Sequence, residues 1–446
     1  MSVRLDPLAS GAVSPAAVVG EQRRGLRRRA FMRAAVRGAL GVATGAAPLL
    51  LSACSASPPL AVGAQFAQLP GLLAAYNRTG PRARVKAVAV SSAIDLGQPP
   101  LPKHLPDIVD VTATNLWVGG LGVAAGSGGR VGPFLHALDG LLPPSALRPL
   151  MPAALQSFRL RGRLYGMPYS FAHGLIAFND LLAVPAGFVP PARAMGLQQI
   201  DGILRRAAPK LPPGTVGLDL VQIGPPVWGT MVAGYGGTLT RGGRFTFARG
   251  EGLSVLRQLG TICRAYGGAN MFTGGRALFS FGFGSNGAAS FDKANGMAMG
   301  LLPFPSLPRP LSPVLALGAG ISTQCRDVPG AAAFLTWLGG ETAQRYLDAH
   351  GAPSARSDLQ SDPAWVPPLP PGDDANLVAA APGEVLPQIF WHPAILFILT
   401  NAQVAAFSPG AGSTVSEVFT TAERACNAAL GVLGLTADQP RGTTSV

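Results

Sequence analysis

The chain has 446 residues and a formal net charge of +13, from 35 Lys and Arg against 22 Asp and Glu. Only four of the bases are Lys, and eight Arg set against Asp6 and Glu21 put much of the excess charge in the first 53 residues. The remainder carries a modest excess with no basic run, which argues against a nucleic-acid partner, and it is long enough for two domains.

In chain order, Arg28-Arg29-Ala30-Phe31-Met32-Arg33 fits the twin-arginine export pattern. The apolar run Gly38 to Ala53 follows and ends in Leu51-Ser52-Ala53-Cys54, the spacing of a lipobox whose Cys is acylated. At 16 residues the run falls short of the roughly 20 that a membrane-spanning helix needs. A short uncleaved anchor explains the apolar run but not the order of Arg flank, apolar stretch and small residues before Cys54. Residues 1–53 are therefore expected to be a signal peptide, with Cys54 the lipidation site and the mature protein tethered outside the cytoplasmic membrane.

Beyond Cys54, Leu60 to Val62 reads as a strand and Pro70 to Arg78 as a helix, with Leu72, Leu73 and Tyr76 on one face. Val85 to Val90 and Pro106 to Val111 read as strands, and Thr112 to Trp117 as the loop and helix start after the second. A turn at Arg161-Gly162-Arg163 separates apolar segments, another is expected after Tyr169, and Gly174 to Asn179 reads as a buried strand. Helical spacing recurs over Gln198 to Ala208, Glu251 to Tyr266, Gly330 to Gly339, Glu341 to Ala349, Pro393 to Ala406 and Ser416 to Leu433. The prolines between Ser361 and Gly372 mark an exposed connection. This alternation predicts an α/β fold with a largely parallel sheet. Cys263, Cys325 and Cys426 have no metal-ligand spacing, nothing selects a disulfide pair among them, and the five His are scattered, so no metal or cofactor is expected.

The run Arg161-Gly162-Arg163-Leu164-Tyr165-Gly166-Met167-Pro168-Tyr169, followed by Phe178-Asn179, resembles the signature of family 1 extracellular solute-binding proteins, the receptors of sugar-type ABC importers. Further segments fall in that family's order: Leu105 to Val109, Trp228 to Gly237, Phe272 to Phe281, Leu302-Pro303 with Gly320-Ile321-Ser322, and Gly351-Ala352-Pro353 with Arg356. The resemblance implies a periplasmic-binding-protein-like fold, with two α/β lobes, hinge crossovers and a ligand cleft. It places residues 54–171 with 313–362 in the N-terminal lobe and 172–312 with 363–446 in the C-terminal lobe. It implies a monomer that takes a small polar solute, and ABC permease subunits as partners.

A sugar site needs aromatic planes for C–H faces and neutral polar groups for the hydroxyl rim. Candidates are Gln65 past the first strand, and Thr114, Asn115 and Trp117 after the Pro106 to Val111 strand. Phe171 and His173 stand where the family crosses between lobes, and Trp228 is the foremost stacking platform. Phe283, Ser285 and Asn286 lie where relatives often place a Trp, and Trp391 lies near another aromatic position. Trp117 and Trp391 read equally well as core anchors. Ala172 and Leu317 depart from the family's acidic and aromatic residues, which loosens any substrate assignment.

An enzyme is not expected. Gly120, Gly122 and Ala125 meet only the looser phosphate-loop spacing and lie past the helix start, and Ser285 misses the nucleophile-elbow pattern by one position. Paired carboxylates for a glycosidase are scarce. Two other readings stay open: a receptor for a glycerophosphodiester or other anionic solute, and a non-transport lipoprotein adaptor built on the same fold.

Overall fold

Apolar and β-branched segments of this chain collect into one mixed sheet, and the amphipathic segments pack on it as helices. A computed structural model describes residues 58–63, 69–88, 104–121, 133–191, 193–220, 223–283, 299–350, 352–360, 383–384 and 386–437. The proposed signal segment, Cys54, Gln65, Ser285, Asn286 and the proline-rich stretch from Ser361 lie outside them.

Strand β1 (Leu60–Gly63), helix α1 (Leu69–Arg78) and strand β2 (Val85–Ala87) open the fold. Helix α1 forms because Leu69, Leu72, Leu73 and Tyr76 recur at helical spacing, and all four are buried. Strand β3 (Ile108–Val111) and helix α2 (Ala113–Leu121) follow. Two short helices, α3 (Pro144–Leu147) and α4 (Pro152–Ser157), then lead to a tight hairpin of β4 (Arg159–Leu160) and β5 (Arg163–Leu164). Its two turn residues, Arg161 at φ 51° and Gly162 at φ 78°, are both left-handed, as a type I′ turn requires.

Strand β6 (Met167–Asn179) is 13 residues long and buried on both faces. The turn expected after Tyr169 is absent. Residues 167–173 extend the Gly174 to Asn179 strand without a break, because their backbone pairs along a neighbouring strand, which overrides the weak local turn signal.

Next come helices α5 (Asp180–Ala186) and α6 (Leu197–Ala207), strand β7 (Val216–Asp219) and helix α7 (Pro225–Gly234). A small hairpin, β8 (Thr240–Arg241) and β9 (Arg244–Phe245), precedes α8 (Gly250–Tyr266) and β10 (Gly267–Gly268). Strands β11 (Ala277–Phe283), β12 (Met299–Pro303) and β13 (Ser312–Ile321) return the chain through the sheet. Helices α9 (Val328–Leu338), α10 (Glu341–Ala349) and α11 (Ser357–Gln360), strand β14 (Gly383–Glu384), a 3-10 turn (Gln388–Trp391), and α12 (Pro393–Phe407) and α13 (Val415–Leu433) complete it. No helix among the described residues is long and apolar enough to cross a membrane.

The sheet order is β10-β7-β11-β6-β13-β3-β1-β2, with β12 also on β6 and β14 also on β13. Pairing is parallel towards both ends and antiparallel around β6 and β13, so the sheet is mixed rather than largely parallel. Strand β6 changes partners midway. Its residues from Met167 to His173 pair with β13, whereas Gly174 to Asn179 lie between β11 and β12. One half of the sheet is therefore β2, β1 and β3, the other β12, β11, β7 and β10, and the paired strands β6 and β13 lie between them.

Gly320 sits in β13 between β3 and β6, where an added Cβ would lie 2.8 Å from the Tyr165 carbonyl oxygen and 2.7 Å from Cγ2 of Val111. A backbone oxygen cannot swing away as a side chain can. Gly320→Ala is expected to lower unfolding stability by about 1–3 kcal/mol, measured as a reduced urea midpoint with an unchanged slope.

Candidate functional site

A small cavity lies where the two halves of the sheet meet. From one half it is lined by Thr112 and Ala113 at the start of α2 and by Ser157 at the end of α4. The crossing strand β13 contributes Val314, Leu315 and Ala316, and the other half contributes Pro226 at the start of α7. Leu386, Gln388 and Trp391, from the segment before α12, close it. Its volume is about 60 Å³, and none of these lining residues is ionisable. The helices α2 and α7 both begin at its wall, beyond the carboxyl ends of β3 and β7, the position where open α/β sheets bind ligands.

The start of α2 is held by a reciprocal cap. The Thr112 N–H donates to Asn115 Oδ1 at 2.8 Å, the Asn115 N–H donates back to Thr112 Oγ1 at 3.3 Å, and Asn115 Nδ2 donates to the Asp110 carbonyl at 3.0 Å. Asn115 is fully buried, so its amide positions Thr112 at the cavity wall rather than facing a solute. Thr114 is the second residue of α2.

Of the expected aromatic platforms, Trp391 reaches the cavity and is half-buried there. Trp117 does not. It is buried, its Nε1–H donates to the Gln388 carbonyl at 2.7 Å, and its ring meets His392 edge-on at 5.1 Å. Trp228 is 0% exposed, packed at 5.4–6.1 Å from Phe247, Phe390 and Phe419, so it presents no face for stacking. Helix α7 is apolar around most of its circumference and buried on nearly all sides, so a Trp on it is taken into the core whichever face it occupies.

Phe171 is likewise fully buried in β6. Its N–H donates to the Pro353 carbonyl at 2.9 Å, and its own carbonyl accepts from Gln360 Nε2 at 3.1 Å. His173 is opposite Val314 in the β6–β13 ladder and edge-on to Phe171 at 5.3 Å. Burial holds its pKa below the ordinary 6.5, and its Nδ1 has no partner among the described residues. Phe283 ends β11 opposite Gly174, next to the strand position where β6 changes partners.

Gln388 was not foreseen. It is 4% exposed, its Nε2 donates to the Ser157 carbonyl at 2.9 Å, and its Oε1 has no partner among the described residues. The available signal was one amide in the apolar run Val385-Leu386-Pro387-Gln388-Ile389-Phe390, where an unpaired amide is disfavoured and so marks a specific partner. His392, the N-cap of α12, is 1% exposed with neither ring nitrogen partnered among the described residues. Burial pushes its pKa down to about 4. Burial also pushes the free Cys426 thiol up to about 12, and Cys263 and Cys325 are free as well.

The sequence matches no protein-family profile, and no curated protein matches it. Solved structures do share its fold. The UgpB protein of Mycobacterium tuberculosis in complex with glycerophosphocholine aligns at TM-score 0.69 and 16% identity, over 85% of this chain and 100% of that one. An ABC substrate-binding protein of Listeria monocytogenes in complex with cycloalternan aligns at 0.67 and 14%, over 84% and 99%. The cyclic alpha-maltosyl-1,6-maltose binding protein of Arthrobacter globiformis aligns at 0.66 and 17%, again over 84% and 99%. The fold is that of the periplasmic binding proteins. In it the halves joined by β6 and β13 are the two α/β lobes, those strands are hinge crossovers, and the cleft opens between the lobes.

His392 makes stability pH-dependent. Its imidazole titrates near 6.5 when unfolded and about 4 when folded, so between those values the unfolded chain binds a proton that the folded chain does not. Its contribution is complete above pH 6.5 and declines as pH falls towards 4. Replacing it by His392→Leu should flatten the loss of unfolding free energy between pH 7.5 and 4.5 by about 2 kcal/mol, read from urea titrations at the two pH values.

Proposed function

We propose that this chain is the solute-binding component of an ABC importer, tethered outside the cytoplasmic membrane by acylated Cys54. It captures a carbohydrate or sugar-like neutral solute in the cleft and delivers it to the permease subunits, without chemical conversion. In this reading the N-terminal lobe comprises 54–171 and 313–362, the C-terminal lobe 172–312 and 363–446. The observation that carries it is the cavity between the lobes, walled by both of them and lined by hydroxyl, amide, indole and aliphatic groups with no charge. Such a lining suits a polar but uncharged guest, since an ion there would lack a partner for its charge.

At about 60 Å³ the cavity is far smaller than the roughly 300–1,000 Å³ of ordinary small-molecule sites. A sugar therefore enters only when the lobes part, by bending where β6 changes partners between His173 and Gly174. The closed state is favoured by the solute only to the extent that the solute binds it more tightly. Trp391 supplies the stacking face, Thr112 and the Gln388 Oε1 supply hydrogen bonds, and His173 stands at the bend as a neutral donor or acceptor. Gln65, Thr114, Phe283, Ser285 and Asn286 are further ligand contacts in this proposal, whereas buried Trp117, Asn115, Phe171 and Trp228 act as packing support.

A glycerophosphodiester is the second reading. The amino end of α2 opens on the same cavity and favours an anionic group, although α7 begins with Pro225-Pro226 and adds no free N–H donor there, and the UgpB structure of similar fold holds glycerophosphocholine.

A thermal-shift panel of mono- and disaccharides, amino sugars and glycerophosphodiesters separates these readings, because a ligand of the native state raises the melting temperature. A neutral sugar is expected to give a rise of several degrees and a change in Trp fluorescence. Trp391→Ala should weaken that binding about threefold to tenfold through the lost stacking face. A response to glycerophosphodiesters alone replaces the first reading by the second, and no response to any member refutes both. Separately, Cys54→Ser should release the protein from the membrane fraction; continued retention in high salt and alkaline wash would count against the lipid anchor.

A further inference from the structure

Helix α5 and the loop after it carry an apolar protrusion that the solute site does not use. Leu181 is 60% exposed, Val184 78% and Val189 81%, and Pro185 and Pro190 between and beside them are exposed too. Leu181 and Val184 are three residues apart and so share one face of α5.

The protrusion is pinned rather than loose. Asn179 caps the amino end of α5, accepting from the Leu181 N–H at 3.0 Å, and its own Nδ2 donates to the Gly275 carbonyl. At the other end Gly187 turns left-handed at φ 70°, and the Phe188 N–H donates to the Ala183 carbonyl at 2.9 Å. Phe188 is anchored inward, edge-on to Phe178 at 5.4 Å and Phe279 at 5.0 Å. With Phe188 held inside, the extended chain sends Val189 outward.

A base borders this face, and two more lie close to it in sequence. Lys210 Nζ lies 3.2 Å from where a Cβ on Gly187 would sit, and the 3-10 turn carrying it, Ala208–Lys210, packs on α5. Arg206, one turn earlier, and Arg193, four residues past Val189, are exposed. Asp201 on α6 is bridged to Arg205 at 2.9 Å, and Asp180 is at the opposite end of α5 from Lys210.

The geometry points to a membrane-contact site, with Leu181, Val184 and Val189 inserted among the headgroups of an anionic bilayer and Lys210, Arg206 and Arg193 on the lipid phosphates. Aliphatic side chains this exposed form a protrusion rather than a groove. Lys210 borders them, and no aromatic anchor is among them, which matches interfacial insertion better than a protein hot spot. The contact would set which face of the protein lies against the membrane, and it does not depend on the identity of the solute.

The test uses the full chain with Val184→Cys carrying an environment-sensitive fluorophore, in a Cys54→Ser, Cys325→Ser background so that no lipid anchor is attached and only the exposed position is labelled. Val404→Cys, exposed on α12, is the control site. Vesicles are phosphatidylcholine alone or equal parts phosphatidylcholine and phosphatidylglycerol, with brominated acyl chains as quencher. The fluorophore at 184 is expected to shift to the blue and be quenched on the anionic vesicles, while that at 404 is unchanged. Reversing two of the three bases, Arg206→Glu with Lys210→Glu, should lower the quenched fraction about tenfold or more. Equal responses at 184 and 404, no response at 184, or a response at 184 that appears only when copies cross-link in vesicle-free solution would each overturn the proposal.

Discussion

Strands β6 and β13 pair antiparallel across the middle of the sheet, and every larger feature of this molecule is arranged about that ladder. Its register runs from Val314 opposite His173 to Ala319 opposite Met167, with an irregularity between Leu317 and Gly318. Beyond His173 the same strand exchanges this partner for β11 and β12. A continuous backbone thus couples two sets of strands that share no other neighbour in the sheet order. The ladder resists shear along the strands, because hydrogen bonds in register would all break together, but it permits bending where partners change.

The segment before α12 adds a second tie of a different kind. Leu386 packs against α7, where a Cβ on Gly229 would lie 3.1 Å from it, and Phe390 lies in the aromatic cluster at 5.2 Å from Phe245. By packing, these residues belong with α7 and the aromatic cluster. Their neighbour Gln388 is nevertheless hydrogen-bonded through its carbonyl to Trp117 on α2 and through its amide to Ser157 on α4. Apolar contact is insensitive to direction, whereas these hydrogen bonds hold only at short range. Any relative movement of these elements breaks the polar contacts first, and Trp391 lies beside them. Cavity-lining indole, amide and the contacts to α2 and α4 thus share one short segment.

The aromatic cluster explains how an indole can be prominent in sequence and silent at the site. Trp228, Phe245, Phe247, Phe390 and Phe419 come from α7, β9 and its flank, the 3-10 turn and α13, and fill the space between these elements with rings at tilted or edge contacts. Buried area of this kind, on the order of 150–250 Å² per ring, dominates the local packing energy. Removing Trp228 from that core to face a solute would forfeit more than one stacking contact returns.

By itself the sequence determined what is local. The 3.6-residue spacing of Leu69, Leu72, Leu73 and Tyr76, or of Ala331, Phe334, Leu335 and Leu338, specifies a helix with one buried face because backbone geometry alone brings those residues together. The Arg161-Gly162 turn is equally local, and the order of its weak motifs pointed to two lobes with a cleft. Tertiary structure decided what depends on distant partners. It made Met167 to Asn179 one strand, because β13 supplies hydrogen bonds that no nearby residue reveals. It buried Trp117 and Trp228 while leaving Trp391 at the cavity, and it used Asn115 as a cap. It also brought Gln388 against Ser157, more than two hundred residues earlier in the chain. Composition and spacing show that an indole or amide is present, but which side of its element faces a cleft is settled only by what packs on the other side.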